Sequence, residues 1–308
     1  MTQTMDTQRY TDHIFCIDTD YAAPGIACAY IIQDGEECAL IETGTGPALS
    51  AMMERISDLG LSLDQFSAVI PTHAHLDHAG AAGHWIEAMP NAKLYCHPKA
   101  ARHLIDPSRL EASARGVYGE AFDALYGQLI PVPENRVVIL EDHDSVEVGQ
   151  RGLTAYHTRG HADHHLCLWD EQSRGWFTGD SFGICYPCMQ TGDWPFALPA
   201  TTPTQFLPSY YQESIDIIAA KKPQWIYPTH YGRIPFDVRT AQSLKQQIGA
   251  YANISDIEHA AAELQNITLH NLTQTFSGPE ATMILDSLSQ DLALNAQGVM
   301  HRLQNRTR

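Results

Sequence analysis

The residues with the clearest chemical potential lie in the segment 71–78, which reads Pro-Thr-His-Ala-His-Leu-Asp-His. This segment brings three imidazoles and one carboxylate together within six consecutive positions, at His73, His75, Asp77 and His78. Neutral imidazole nitrogens and carboxylate oxygens are the ligands that Zn²⁺ and similar divalent ions favour. Without a cation to hold, these groups would repel one another or lie idle. The segment therefore indicates a metal site.

Further ligand-type residues follow other segments that have the character of strands. Residues 66–70 are short and apolar, include β-branched residues, and lead directly into the histidine-rich segment. In the same way His161, Asp180 and His230 each come after an apolar run. Loops at strand ends are where α/β folds commonly place active sites. The seven candidates exceed the four ligands of a structural zinc, and they suffice for two ions that share a carboxylate.

The elements that must position these loops alternate between strands and helices. Apolar residues at helical spacing predict a helix over 49–59 that ends at Gly60, and a second helix of small residues over 78–88. Asp34-Gly35 is a hairpin turn signal. Short apolar runs predict further strands at 13–18, 26–33, 38–42, 93–96, 136–140, 145–148, 153–157, 166–169, 175–178 and 225–228.

Two regions are predominantly helical. Residues 99–130 carry helical segments that we expect to be broken by Gly116, Gly119 and Gly127. From about residue 240 onward the chain is helical and rich in Ala, Gln and Leu, apart from a strand-like segment at 267–270.

Strands that bracket helices in both halves predict a mixed α/β sandwich. We expect residues 1–239 to form the catalytic domain, with the helical insertion at about 99–130. Residues 240–308 are expected to form a helical extension that covers the core or joins a second copy in a homodimer.

Composition excludes several classes of protein. The 308 residues carry a net charge of −17 with only 19 Lys and Arg, which argues against a nucleic-acid partner. No stretch approaches the ~18 apolar residues of a membrane span. Residues 1–10 are polar and lack the apolar centre of a signal peptide. Seven scattered cysteines are typical of buried thiols in a reducing compartment, so we expect a cytoplasmic protein with a small-molecule substrate and no membrane partner.

Taken together, these blocks resemble the metallo-β-lactamase superfamily, whose pattern is His-x-His-x-Asp-His followed by a His, an Asp and a final His. The resemblance covers about residues 12–235 and is greatest to a poorly characterised bacterial and archaeal subgroup of metal-dependent hydrolases. It implies an α+β fold, the four-layer αβ/βα sandwich, with the helical insertion and C-terminal extension added. It assigns one metal to His73, His75 and His161, a second to Asp77, His78 and His230, and the bridging position to Asp180.

The resemblance also implies two divalent metal ions, with zinc expected first and manganese or iron as alternatives. Ions ~3.5–4 Å apart hold a shared hydroxide that attacks an electrophilic centre. The expected substrate is a small ester, thioester or lactone. Asp77 would serve as a catalytic residue as well as a ligand, by orienting the nucleophile or relaying a proton to the leaving group.

Other activities occur on this fold. Iron-dependent oxygen or peroxide reductases resemble this chain, but they have Glu at the position of His75 and pair with a flavin domain that is absent here. A persulfide dioxygenase would need bound iron. A nuclease or phosphodiesterase is disfavoured by the acidic charge balance.

Four residues are candidates for the substrate pocket. Arg159 stands where relatives often have Pro, so a cation is expected near the site. His97 follows a strand, and Tyr186 could donate a hydrogen bond to a substrate oxygen or simply be packed. Trp194 could form a pocket wall, pack its own loop or contact a second copy.

His164 and His165 adjoin the candidate ligand His161. They could orient ligands from outside the metal's own coordination shell, as hydrogen-bonding groups often do around metal sites. Alternatively they could face the core, and the sequence does not decide between the two.

Overall fold

The computed structural model describes residues 7–201 and 204–306. The protein is built on two mixed β-sheets that face each other. The strands of the first sheet lie in chain order: β1 (Thr7–Arg9), β2 (Ile14–Asp18), β3 (Cys28–Asp34), β4 (Glu37–Ile41), β5 (Phe66–Ile70), β6 (Lys93–Cys96) and β7 (Val137–Ile139). Strands β1 to β4 are antiparallel, and β4 to β7 are parallel. The carboxyl end of β5, one of these parallel strands, therefore leads into the segment that carries four candidate ligands.

The second sheet is mostly antiparallel. Its strands lie in the order β13 (Ile234–Pro235), β12 (Trp225–Pro228), β11 (Gly175–Gly179), β10 (Leu166–Asp170), β9 (Arg151–His157) and β8 (Ser145–Val148). Only the pair β11 and β12 is parallel among these described strands. That pair carries Asp180 and His230 at the same edge of the sheet.

Eleven α-helices accompany the sheets in the described residues. They are α1 (Leu49–Asp58), α2 (Leu76–Ala79), α3 (Ala82–Ala88), α4 (Pro98–Ile105), α5 (Ser108–Tyr118), α6 (Phe122–Tyr126), α7 (Pro208–Ala220), α8 (Val238–Asn253), α9 (Ala260–Leu272), α10 (Gly278–Ser287) and α11 (Ser289–Arg306). None of these helices combines the length and apolar composition that crossing a lipid bilayer requires.

Strand periodicity explains the layers. In β2, Ile14 and Cys16 join the core between the two sheets, where Leu166 of the opposite sheet also lies. Their neighbours Phe15 and Ile17 point the other way and are buried beneath α1 and α3. Because successive side chains of a strand alternate, one strand serves both layers. The predicted α+β four-layer sandwich is confirmed.

Most predicted strands appear within two residues of their expected ends, but the strand predicted at 267–270 is wrong. That segment lies inside α9, where Leu264, Thr268 and Leu272 are buried at intervals of four residues. The spacing places them on one helix face, so helical burial outweighs the local β-branched character. Three elements, β1, β13 and α7, were not predicted.

The small-residue helix predicted over 78–88 is two helices. Helix α2 ends at Ala79, and the amide of Ala81 donates to Gly44 O at 3.0 Å and to Thr43 Oγ1 at 3.2 Å instead of continuing the helix. The break ties the histidine-rich loop to the end of β4.

The helical insertion comprises α4, α5 and α6. Gly119 and Gly127 follow α5 and α6 with φ of 54° and 65°, which ends each helix as expected. Gly116 does not break α5, since it lies inside that helix. Helix α8 begins at Val238, close to the predicted start of the C-terminal extension. The division into two domains stays a prediction, and the expectation for residues 1–10 falls mostly outside the described residues.

Candidate metal centre

Two candidate ligands follow glycines at points of very close approach. Gly160 has φ of 123°, and a Cβ there would lie 2.3 Å from Tyr211 Cα. Gly179 has φ of 48°, and a Cβ there would lie 2.4 Å from Thr72 Oγ1 and 2.7 Å from His165 Nε2. Glycine adopts a positive φ at little conformational cost, and it has no Cβ that would clash with these neighbouring atoms. The two turns bring the residues that follow them, His161 and Asp180, against the loop after β5.

The first group of candidate ligands, the imidazole set, consists of His73, His75 and His161. His73 Nε2 lies 2.9 Å from His75 Nδ1, and His161 Nε2 lies 3.2 Å and 3.0 Å from these two atoms respectively. Tetrahedral zinc with Zn–N bonds of about 2.0–2.1 Å would space its ligand nitrogens about 3.3 Å apart. The three nitrogens therefore have the spacing of ligands around one ion.

The second group, the carboxylate set, consists of Asp77, His78 and His230. Asp77 Oδ2 lies 3.4 Å from His230 Nε2 and 3.6 Å from His78 Nε2. These three ligand atoms also lie close enough to surround one cation.

Asp180 faces both sets. Its Oδ1 lies 3.3 Å from His78 Nε2 and 3.6 Å from His230 Nε2, whereas its Oδ2 lies 3.5 Å from His161 Nε2. The structure thus brings all seven predicted ligand residues into one cluster, with a single carboxylate between its two halves.

Hydrogen bonds on the far side of the rings fix which nitrogen faces the cluster. His161 Nδ1 donates to Ala200 O at 2.8 Å, and His230 Nδ1 donates to Ile26 O at 2.7 Å. A carbonyl only accepts, so the hydrogen of each neutral ring must be on Nδ1. In the neutral form of each ring, Nε2 is then left with a lone pair that points at the other ligands, as a metal requires.

Glu42, which directly follows β4, contacts His78 of the carboxylate set on the side of the ring away from the ligand atoms. It is 1% exposed, and its Oε1 accepts from His78 Nδ1 at 3.0 Å, Thr72 Oγ1 at 2.6 Å and Thr229 Oγ1 at 2.8 Å. Because the hydroxyl hydrogen of Thr72 is committed to Glu42, its oxygen accepts from His73 Nδ1 at 3.0 Å. This buried carboxylate therefore orients ligands of both sets.

Sequence reasoning did not single out Glu42. Two signals were available: an acidic residue directly after a strand, and the tripeptide Pro-Thr-His, which occurs both at 71–73 and at 228–230. The two threonines occupy equivalent places at the ends of β5 and β12, and both donate to the same oxygen. The repeat marks two loops that share one acceptor.

The imidazole set is electrically neutral. Burial, together with the neighbouring imidazoles, holds the pKa of His73 and of His75 well below the usual range. Burial also lowers the pKa of His161. These rings offer lone pairs at any pH near neutrality.

The carboxylate set attracts positive charge. Burial disfavours the charged form of His78, but Asp77 and Glu42 outweigh it and raise the pKa of His78 to about 9. Asp180 and Asp77 likewise outweigh burial at His230 and raise its pKa to about 10. The field at these two imidazoles favours a cation.

Two buried atoms test whether the cluster fits a metal. His78 Nε2 and Asp180 Oδ1 have no hydrogen-bond partner, although they lie only 3.3 Å apart. An unsatisfied buried polar atom costs about 1–3 kcal/mol. A divalent ion between them would satisfy both, and the donor set of imidazole and carboxylate suits such an ion. The cluster fits the metal that the sequence pattern implies.

His164 and His165 both contact the loops that carry ligands. His164 Nδ1 accepts from the amide of Ala74 at 3.2 Å, and His165 Nε2 accepts from the amide of Asp180 at 3.2 Å. The opposite nitrogen of His165 lies 2.9 Å from Thr158 Oγ1. Each ring therefore holds the backbone beside a candidate ligand, although neither belongs to the two sets.

Tyr186 lies beside the carboxylate set. Its ring centroid is 6.4 Å from that of His230, and its hydroxyl donates to Asp291 Oδ1 at 3.1 Å. Asp291 belongs to α11, far along the chain, and sequence reasoning missed it. Burial raises the pKa of Asp291, while His230 opposes that rise.

The other three pocket candidates contact residues outside the two ligand sets. Arg159 is bonded to Asp163 at 2.7 Å and lies over the ring of Tyr210. The ring of His97 packs 4.1 Å from that of His157, and the half-buried Trp194 lies beside Phe196. Their roles in a pocket stay predictions.

Comparison with known proteins places this site in a family. Residues 22–230 match the Metallo-beta-lactamase superfamily. The metallo-beta-lactamase fold-containing protein ST1585 of Sulfurisphaera tokodaii is 24% identical over 214 residues, which are 68% of this chain and 75% of that protein. The human acyl-coenzyme A thioesterase MBLAC2 is 28% identical over 193 residues, or 55% of this chain, and the match spans 63% of its length.

Solved structures share the architecture. The crystal structure of ST1585 superimposes with a TM-score of 0.66 at 20% identity and covers 94% of this chain and 99% of that one. The metallo-beta-lactamase family protein TTHA1429 of Thermus thermophilus gives 0.64 at 19% identity, with 96% and 94% covered. At these identities the likeness concerns the fold.

A four-layer sandwich with a His and Asp cluster at its strand ends defines a metal-binding enzyme of the hydrolase type. With most of its length matched, the chain belongs to the metallo-β-lactamase superfamily. The resemblance seen in the sequence is thereby confirmed.

Proposed function

We propose that this enzyme is a binuclear hydrolase that binds two divalent ions, zinc first among them, and cleaves a small thioester, ester or lactone. The observation that carries the proposal is the position of Asp180. One of its oxygens faces His161 at 3.5 Å, and the other faces His78 at 3.3 Å. A carboxylate with one oxygen toward each ligand set is the arrangement that a pair of ions requires.

When bound, two such ions would supply an activated water and would polarise the substrate's carbonyl oxygen. The chain's own residues position the reactants. The pKa of Asp77 is held below its usual range by His78 and His230 despite burial, so Asp77 is ionised at neutral pH. It therefore acts as a ligand and as a hydrogen-bond acceptor that orients the attacking water.

Tyr186 is proposed as the residue that contacts the substrate. Its ring lies beside His230, and its hydroxyl already donates to Asp291. A substrate oxygen that displaces this contact would accept a hydrogen bond from a neutral donor. Because burial raises the pKa of Tyr186 further above neutrality, the phenol keeps its proton.

Thioesters lead the list of substrates because of two relatives. The human MBLAC2 is named an acyl-coenzyme A thioesterase, and a protein of Aspergillus chevalieri is named an atrochrysone carboxyl ACP thioesterase. The acidic composition argues for a small molecule over nucleic acid. A cytoplasmic location and a homodimer stay predictions from the sequence.

The test combines metal analysis with a substrate panel. Protein purified without added metal is expected to contain about two zinc or manganese ions per chain and to hydrolyse at least one of a short acyl thioester, an aryl ester and a lactone. Chelation should abolish that hydrolysis, and zinc should restore it. Iron together with oxygen uptake, or activity confined to phosphodiesters, would contradict the proposal.

A further inference from the structure

We propose that Asn295 of α11 is a positioning residue for His161, so that the C-terminal helix is part of the metal centre and not only a cover for the core. The inference rests on the proposed function, because it treats His161 as a metal ligand. Its evidence is a short chain of hydrogen bonds that crosses from α11 to the imidazole set.

The side-chain amide of Asn295 forms hydrogen bonds to two residues of one loop. Its Oδ1 accepts from the amide of Thr201 at 2.6 Å, and its Nδ2 donates to Pro199 O at 2.7 Å. The hydroxyl of Thr201 donates to the backbone carbonyl of Asn295 at 3.2 Å. Three hydrogen bonds therefore fix the segment 199–201 to the helix.

The residue in the middle of that segment holds the ligand. Ala200 O accepts from His161 Nδ1 at 2.8 Å, which sets the tautomer and the direction of the ring. The amide of Ala200 lies 3.3 Å from the hydroxyl of Tyr211, which donates to Asp180 O at 2.6 Å. The segment therefore contacts a ligand of the imidazole set directly and the bridging residue through one tyrosine.

The burial of Asn295 supports a specific role. Its side chain is 1% exposed and lies among apolar residues of the same helix, including Leu292, Ala296 and Val299. An amide in such a place costs free energy unless its hydrogen bonds are made. The polar side chain is therefore explained by the loop that it holds.

The same face of α11 also reaches the other half of the site. Asp291 lies four residues before Asn295, which puts the two side chains one above the other on the helix. Asp291 accepts from Tyr186, whose ring lies beside His230. One helix thus supports the cluster from two sides.

The experiment compares Asn295→Leu with Val299→Ala in the full-length protein. Val299 is equally buried one turn farther along α11, and its side chain has no group that could form a hydrogen bond to segment 199–201. Zinc affinity is measured for each ion by chelator competition, and the visible spectrum of the cobalt-substituted protein reports the ligand geometry. Asn295→Leu is expected to lower the affinity for one of the two ions by about 10–100-fold and to shift the cobalt spectrum. Val299→Ala should lower Tm and leave both readouts unchanged.

Wild-type affinities and a wild-type cobalt spectrum in Asn295→Leu would overturn the inference. If that variant does not fold, Asn295→Asp serves instead, because it keeps the acceptor for Thr201 and removes the donor for Pro199. Wild-type affinity there would likewise overturn it. Failure of the wild-type protein to bind two ions would be a failure of the proposed function, and is recognised separately.

Discussion

The two halves of the ligand cluster attract a cation in different ways. The imidazole set is neutral, and burial keeps its histidines from protonating. The carboxylate set has anionic ligands that raise the pKa of its histidines to about 9 and about 10. The first half depends on the orientation of its rings, which is set by the hydrogen bonds of His73 to Thr72 and of His161 to Ala200 O. The second depends on charge, with Glu42 behind it. Damage to geometry and damage to charge should therefore have separable effects.

The largest effect is expected from removing the residue that belongs to both halves. Asp180→Ala should lower kcat by at least about 1000-fold, since several kcal/mol of metal-dependent stabilisation are lost. Metal analysis should find both ions weakened. Asp216→Ala is the control, because that carboxylate is exposed and pairs only with Lys245 among its described contacts. Activity near wild type in Asp180→Ala would exclude a bridging role.

Removing charge from one half should weaken the binding of one ion more than that of the other. Asp77→Asn keeps the size of the side chain but removes the anion that faces His78 and His230. We expect bound zinc to fall from about two ions to about one per chain and kcat to fall about 100-fold. Two ions retained at full affinity would show that charge does not control the carboxylate set.

A change behind the ligands sharpens the comparison further. Glu42→Gln removes the buried charge that His78, Thr72 and Thr229 share. Such outer contacts typically contribute about 10–100-fold in metal affinity, and we expect a loss in this range at one ion. Chelator competition should find the ion of the carboxylate set affected more. An equal loss at both ions would mean that Thr72 transmits the change to His73.

The smallest effect is expected outside the ligands. Tyr186→Phe removes the hydroxyl that donates to Asp291 and, in our proposal, to the substrate. A hydrogen bond of about 1 kcal/mol corresponds to a loss of roughly 5-fold in kcat/KM. Metal content should stay at the wild-type level. A loss of metal in this variant would instead assign Tyr186 to the support of His230.

The candidate ligands could be recognised in the sequence because each one follows a strand within a few residues or lies within one dense motif. That they bind a metal stays a prediction. Such local patterns can be recognised without knowledge of the fold. The residues that hold the candidate ligands in place cannot be recognised in this way. Glu42 meets Thr229 only when the two sheets face each other, and Asn295 meets Thr201 only when α11 packs against a loop far away in the chain.

Helices give an even weaker signal than strand ends. A lone Asn within an amphipathic helix has the same sequence character on the surface as in the core, so Asn295 carried no mark. The strand prediction at 267–270 is wrong for a related reason, since β-branched residues tolerate a helix when tertiary packing favours it.

Glu42 also bears on the order in which the molecule folds. The strands of the first sheet precede those of the second along the chain, so the first sheet can form during synthesis before the second is available. At that stage the carboxylate lacks Thr229, and three ligands are still missing. A nascent chain therefore has no complete site with which to capture an ion. We therefore expect metal binding to follow the packing of the two sheets against each other and to stabilise that packing, rather than to initiate it.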